Sequence, residues 1–412
     1  MNTLTTKKKW QWILGIVAIV LGSSYLVYKT EIGTVTIPSN VSAPAESLVT
    51  EFTVPEGFEM NVFARDVEGA RVMLFDSKGR MLVSQTDEGS VAILTDTNSD
   101  GVAEEQKVLV KGLNHPHGMV FECNPVRNPE CHLYVAEADQ LTRFSYDAET
   151  ATVDVGTNVL DLEYNATDRH KTRSLVLHNE HTILISVGST CNVCNEKGTQ
   201  AGKVILFDIN DSTASDFATG LRNAVFLTKS FVDGSIWMTE MGRDGLGDTT
   251  PPDEINIYNP SRSSGTRGVP NFGWPICYSD NIHDTNFDKK TYIQDPCNDT
   301  IKPVVKLPAH VAPLGLSFIP EEGWDESMWY NLLVAEHGSW NSSTPVGYKV
   351  VRVVLDEKGN YSATEDFVTG WLRPDGKKIG RPADVMALPG GVVYISDDEA
   401  GIIYRLARTG EL

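Results

Sequence analysis

GRMLVSQ (79–85), CHLYVAE (131–137), HTILISVG (181–188), GSIWMTE (234–240), YNLLVAE (330–336) and GVVYISD (391–397) are one pattern written six times. Each is a short apolar run rich in Val, Ile, Leu and Tyr that ends in a small residue and often an acid. The runs are about five residues long, are bounded by Gly, Asn or Asp, and have no 3.6-residue period, so they read as strands. With the small residue as marker, Ser84, Ala136, Ser186, Thr239, Ala335 and Ser396 are 52, 50, 53, 96 and 61 residues apart. Repeats near fifty residues point to one supersecondary unit used over and over. Several copies run on into a further strand: SVAILTD after the first, KVILFDI after the third, YKVVRVVL after the fifth and GIIYRLA after the sixth. A four-stranded blade cannot cover its own faces, whereas radial packing of blades buries both. The expected fold is all-β, a six-bladed β-propeller over 51–412. The 96-residue step predicts a long insertion, from about 242 to 329, and long ordered loops in a compact domain usually carry function.

Two segments precede the repeats. Residues 10–28, WQWILGIVAIVLGSSYLVY, form an uncharged and mostly apolar run preceded by Lys7, Lys8 and Lys9. That length suits a single membrane-spanning helix, and the positive flank places the N-terminus in the cytoplasm. The expectation is therefore a basic tail and membrane anchor over 1–30, with a cleaved signal peptide as the competing reading. Residues 31–50 then serve as a tether to an extracytoplasmic propeller. The 412-residue chain carries a net charge of −20, and its first 30 residues hold four lysines and no carboxylate. A chain this acidic is not a nucleic-acid binder.

All six cysteines lie in the part expected to be exported, in three close pairs: Cys123 with Cys131, Cys191 with Cys194, and Cys277 with Cys297. Nearest-neighbour disulfides are the favoured pairing of the fifteen possible. CNVC is followed by Asn195, not His, so it is no c-type haem attachment. Asp96, Asn98 and Asp100, with Gly101 and then Glu104 or Glu105, resemble the front half of an EF-hand loop. A structural calcium in a shortened hairpin loop is the expectation there, and an ion-free Asx-rich turn is the alternative. Loops bearing His115, His117, His170, His310 and His337 fall at equivalent places beside the repeat strands, so a propeller would gather them at one mouth. Trp274 and Trp340 offer flat surfaces for a sugar or cofactor, or simple packing.

The ordered motifs NHPHG, DRHxTR, SVGSTCNVC, GLRN, MGRDGLGDTTPPDEIN, NFGWPICY, LPAHVAPLGL, VAEHGSWN, GYKVVRV and GRPADV resemble the L-sorbosone dehydrogenase branch of the soluble, pyrroloquinoline-quinone (PQQ)-dependent sugar dehydrogenases. The resemblance covers residues 52–406. It implies a six-bladed propeller with PQQ and Ca²⁺ at one mouth, oxidising a sugar or sugar aldehyde. It implies that His170 is the general base, taking the substrate hydroxyl proton as hydride leaves, a task for which imidazole is suited. Arg222, Asn223 and Arg381 become cofactor contacts, with Lys349, Arg173, His117 and Thr190 further candidates; guanidinium groups suit a tricarboxylate. Gly242 and Arg243 match the turn whose carbonyls hold the catalytic calcium, a Lewis acid. Departures from the glucose dehydrogenase pattern fall within NHPHG and at Thr190, where glutamines are expected. Lys171 follows the base where an aromatic is expected, and a lysine there can lower the histidine pKa.

The partners so implied are a small sugar or aldehyde, a quinone or cytochrome electron acceptor, and the membrane through the anchor. Two other functions fit a six-bladed propeller: a calcium-dependent lactonase-like hydrolase, and a non-catalytic carbohydrate- or protein-binding module. Arginines in the mouth loops argue against the first.

Overall fold

Each of the six repeat runs is the second strand of an antiparallel sheet of four strands, with a fifth short strand, Thr152–Val153, added in one of them. In the computed structural model, which describes residues 52–123, 131–259 and 268–409, six such sheets form the blades of a propeller. Blade 1 is Ala70–Phe75, Met81–Gln85, Ser90–Thr95 and Glu105–Lys111. Blades 2 to 5 begin at Met119, Leu175, Ala224 and Pro313 and follow the same order. Blade 6 takes Pro382–Leu388, Val392–Asp397 and Ile402–Arg408 from the C-terminal end and its fourth strand, Phe58–Ala64, from the N-terminal end. This closure joins the two ends of the ring, and no turn or motif in the sequence announces it. The anchor and tether expected over 1–50 lie outside the described residues, as do 124–130, 260–267 and 410–412.

The repeat strands read as uninterrupted apolar runs because neighbouring blades cover both of their faces. Met81–Gln85, Thr182–Val187, Ile236–Glu240, Leu332–Glu336 and Val392–Asp397 are buried at every position. Fourth strands such as Glu105–Lys111 are mostly exposed. Among the described residues the hydrophobic core divides into six clusters, one per seam between blades. Trp237, Ile255, Leu316 and Val334 fill the seam between blades 4 and 5, for example.

The small residue of the repeat has a specific use. The innermost strands carry bulges, at Ala70/Met73, Ala224/Phe226 and Pro382/Val385 among others, which free backbone N–H groups. Ser84, Ser186, Thr239 and Ser396 hydroxyls accept from Val72, Ser174, Phe226 and Asp384 N–H at 3.0, 2.9, 3.3 and 2.9 Å. Two of them also donate to the next blade, Thr239 to Leu314 O at 2.8 Å and Ser396 to Arg71 O at 2.7 Å. The Gly of the recurring loop step is steric: a Cβ at Gly118 would lie 2.4 Å from Leu175 N, and one at Gly315 2.5 Å from Asp384 Cα.

The long insertion is shorter than the repeat spacing implied. Within 242–329 the chain completes the third and fourth strands of blade 4, Asp253–Tyr258 and Val305–Leu307, and begins blade 5 at Pro313. The extra segment therefore joins the third to the fourth strand of blade 4. It contains the short pair Cys277–Tyr278 and Ile282–His283. Disulfides link Cys123 to Cys131, Cys191 to Cys194 and Cys277 to Cys297.

Candidate active site

The acid that closes the repeat strand builds the mouth. Loops entering the first strand of each blade cross the end of the second strand, where they need partners for their backbone N–H groups. Glu137 accepts from Asn114 N at 2.6 Å, and Glu240 from Arg222 N and Asn223 N at 2.6 and 3.0 Å. Asp397 accepts from Arg381 N at 2.9 Å. The repeat acids thereby seat GLRN and GRPADV. Blade 5 differs: Asp253 of blade 4 takes Ala312 N and Gly242 N, each at 2.8 Å, and Glu336 Oε2 is buried without a partner among the described residues.

His170 is half-buried at the end of the loop into blade 3. Its Nδ1 is 2.8 Å from Ser189 O and 3.1 Å from Ser189 Oγ. A carbonyl only accepts, so Nδ1 carries the proton and Nε2 the lone pair. Burial, and then the Arg222 guanidinium, push the imidazole pKa down to about 3, so the ring is neutral at ordinary pH.

Arg173 is enclosed, with 1% of its surface exposed. It donates to the carbonyls of His170, Thr172 and Glu163 at 3.0, 3.1 and 3.3 Å. It shapes the loop that carries His170 and has no open face for a cofactor. His117 is likewise enclosed: Nδ1 faces Arg173 O at 3.3 Å, the ring packs on Phe226, and Nε2 is unpartnered. Burial pushes its pKa well down. Thr190 is committed to Glu196, through N and Oγ1, both at 2.7 Å. Lys349 sits on the third strand of blade 5 and pairs with Asp366 of the outermost strand at 2.5 Å, which turns it away from the axis. These four residues are not brought together as an open cofactor surface.

Arg222, Gly242 and Arg243 share the lining of one cavity, while Asn223 packs against Gly188 and Arg381 stands in the loop into blade 6. Arg222 is held by Asn192 O, Asn192 Oδ1, Met241 O and Asp244 Oδ2 at 2.9, 3.0, 3.3 and 3.2 Å. Asn223 Oδ1 lies against Gly188, where a Cβ would meet it at 2.5 Å, and a Cβ there would also crowd His170. Arg381 donates Nε to His337 O at 3.0 Å and Nη2 to Gly338 O, and lies over the Tyr348 ring. Its Nη1 has no acceptor among the described residues. Arg243 pairs with Asp284 at 2.6 Å.

One cavity, with about 30 Å³ of free space, is lined by Arg222, Gly242, Arg243, Glu240, Glu254, Asn256 and Trp274. Three buried polar atoms of this lining have no partner among the described residues: Glu240 Oε2, Asn256 Oδ1 and Trp274 Nε1. Burial raises Glu240 to about 8 and Glu254 to about 7. Among the described residues, the Gly242 and Arg243 carbonyls accept no hydrogen bond. Oxygen acceptors without donors, beside enclosed carboxyls, are what a hard cation takes.

The outer acidic loop contrasts with this. Asp96, Asp100 and Glu104 carboxylates lie together, but they already serve the loop. Glu104 accepts from Thr97 N at 2.7 Å, Asp96 from Gly101 N at 2.8 Å, Asn98 from Asp100 N at 2.8 Å, and Asp100 from Val102 N at 2.9 Å. The Asx-rich turn thus carries its own hydrogen-bond network around a carboxylate cluster close enough to share one cation.

Two groups were missed in the sequence. Asp398 binds Arg71 at 2.6 Å and His337 Nε2 at 2.9 Å, joining blades 5, 6 and 1. Burial would raise the Asp398 carboxyl, but His337 and Arg71 outweigh it and hold it low. His337 falls to about 4 through burial, so it is a neutral donor. The second is Asp244, which takes Arg169 at 2.6 Å, Arg222 at 3.2 Å and Asn341 at 2.6 Å. The signal available was an acid directly after Arg243 of MGRD and after the repeat acid Asp397, but nothing local tells a mouth acid from a turn acid.

The TrAA12-like family model matches residues 52–409. The chain belongs to the TrAA12-like family. An uncharacterised protein of Borreliella burgdorferi is 28% identical over 91% of this chain and 96% of its own length. The pyrroloquinoline quinone-dependent pyranose dehydrogenase of Coprinopsis cinerea is 25% identical over 87% of this chain. The match covers 55% of that fungal enzyme, so this chain spans about half its length. Among solved structures, the AA12-family carbohydrate-active enzyme of Trichoderma reesei superposes with a TM-score of 0.73 at 21% identity, over 89% of this chain and 100% of that one. The holo PQQ domain of the C. cinerea pyranose dehydrogenase gives 0.71 at 22% identity, over 90% and 100%. These superpositions share the propeller fold.

Proposed function

We propose that this chain is a PQQ- and calcium-dependent sugar dehydrogenase of the L-sorbosone type. It oxidises a sugar or sugar aldehyde outside the cytoplasm and passes electrons to a quinone or cytochrome, held at the membrane by its N-terminal segment. The observation that carries this reading is His170 itself: a neutral imidazole with its lone pair on Nε2, set among arginines in the mouth of a strongly acidic chain. The named relatives, whose printed names state PQQ and a pyranose, support it.

The residues present suit both groups. Arg381, with an uncommitted Nη1, supplies a cationic face for a tricarboxylate, and Arg222 adds positive charge from the cavity wall. The Gly242 and Arg243 carbonyls, and the Glu240 and Asn256 oxygens in the cavity behind them, form the oxygen-rich surroundings a calcium ion takes. When bound, the quinone accepts the hydride and the metal acts as its Lewis acid. His170 takes the hydroxyl proton on Nε2, while Ser189 fixes the tautomer and Arg173 fixes the loop. A base of pKa about 3 is weak, and an anion beside Arg222 would offset that charge and raise it. Asp398, with Arg71 and His337, steadies the opposite wall.

The test is to load the full chain with PQQ and Ca²⁺ and follow dye reduction across aldoses, aldehydes and sorbosone. Turnover dependent on both additions is expected. Lactone hydrolysis without PQQ would replace this reading by the hydrolase, and sugar binding with neither activity would leave a binding module.

A further inference from the structure

Trp340 is 70% exposed, unusual for an indole, and the polar residues around it hold it in place. Arg169 lies over one face, with its guanidinium carbon 5.6 Å from the ring centroid. Asp244 pins both partners: Oδ2 takes Arg169 Nη2 at 2.6 Å, and Oδ1 takes the Nδ2 of the adjacent Asn341 at 2.6 Å. Two residues further on, Ser343 N is bound by Asp248 at 3.1 Å. Asp244 is itself fixed by Asn192 Oδ1, which accepts from its N–H at 2.8 Å. The loop into blade 3 and the loops joining the second and third strands of blades 4 and 5 thus hold one flat aromatic surface beside the mouth, and Arg169 is the chain neighbour of His170.

We propose that the Arg169–Trp340 pair is a carbohydrate subsite outside the reacting position, which binds a second pyranose ring, so that the preferred substrate is an oligosaccharide or glycoside. An exposed indole that stands alone among polar groups has too little apolar area for a protein or lipid surface. It does match one sugar ring, whose C–H face packs on the aromatic face while Arg169, Asn341 and Asp244 meet hydroxyls at its edge. Holding the indole rigid before binding reduces the ordering cost of capture. This inference rests on the sugar dehydrogenase reading for its second ring, but the subsite binds with or without the quinone.

The experiment therefore begins with cofactor-free full-length protein, titrated by calorimetry with methyl β-glucoside and methyl β-cellobioside. The two-ring probe should bind about tenfold more tightly, the scale of one aromatic contact. Trp340→Ala should abolish that difference and leave the one-ring affinity unchanged, while Trp340→Phe should retain part of it. Asp244→Asn, which frees Arg169 and Asn341, should narrow the gap without closing it. Equal affinity for the two probes in the wild type, or an undiminished gap in Trp340→Ala, would overturn the subsite. If the gap behaves as expected but PQQ gives no turnover, the subsite stands and the redox reading falls.

Discussion

Two clusters of oxygen ligands sit on this propeller, and they differ in what their acceptors lack. The surface loop of Asp96, Asn98, Asp100 and Glu104 has more carboxylates in reach of one another, yet its own backbone N–H groups use them. The mouth cavity has fewer, but Glu240 Oε2 and Asn256 Oδ1 are buried without hydrogen-bond partners among the described residues. An unpaired buried acceptor costs on the order of 1–3 kcal/mol, so the cavity is the place where a ligand would be most stabilising. Acid count alone and unmet hydrogen-bonding capacity therefore rank the two sites in opposite order.

The sharpest test of the contrast is catalytic. His170→Ala should lower turnover about 10²- to 10⁴-fold, the usual contribution of a general base, and retain cofactor affinity. Asp100→Asn in the outer loop should leave turnover unchanged; equal losses would make the two regions equivalent. Calcium comes next. Adding it at about 100 times its Kd should stabilise the chain by about 2.7 kcal/mol, seen as a higher Tm reversed by chelator. Glu240→Gln should remove that shift and Asp96→Asn should keep it, and the opposite pattern would move the ion to the surface loop.

Without calcium the same acids set a pH dependence. Burial raises Glu240 to about 8, Glu254, Glu336, Asp384 and Asp397 to about 7, and Asp253 to about 6. The folded chain thus keeps protons that the unfolded chain, with carboxyls near 4, has released. Stability from these groups is complete below about pH 4 and is lost as pH rises through 6 to 8. His170 and His337, lowered to about 3 and 4, act the other way, but only below about 6.5. Between pH 6.5 and 8 the carboxyls act alone, so Tm in chelator should fall by several degrees. Glu240→Gln should flatten the upper part of that fall. The smallest effect is expected in the outer loop, where Asp96→Ala removes a backbone acceptor and should cost about 1 kcal/mol in denaturant melts.

The blades were legible because burial on both faces imposes one composition on every repeat strand. The serine or threonine near the strand end was visible too, although its use in filling bulges was not. Phe58–Ala64 could not be assigned to blade 6, because a closing strand pairs across nearly the whole chain and leaves no local trace. The motifs gave His170, Arg222 and Arg381 their places on the loops beside the repeat strands. The surroundings of Arg173, His117, Thr190 and Lys349 were not legible, because a motif gives a residue's place on a loop, and burial and the nearest carbonyl or carboxylate decide which way it turns. Asp244 and Asp398 escaped notice for the converse reason: their partners come from other blades.

The central claim, an anionic quinone site at this mouth, is tested most directly by equilibrium titration of the cofactor-free chain with PQQ in calcium, followed by tryptophan fluorescence. Saturable binding at one PQQ per chain is expected, weakened by Arg381→Ala and unchanged by His170→Ala. No saturable binding, or binding indifferent to Arg381, would contradict it.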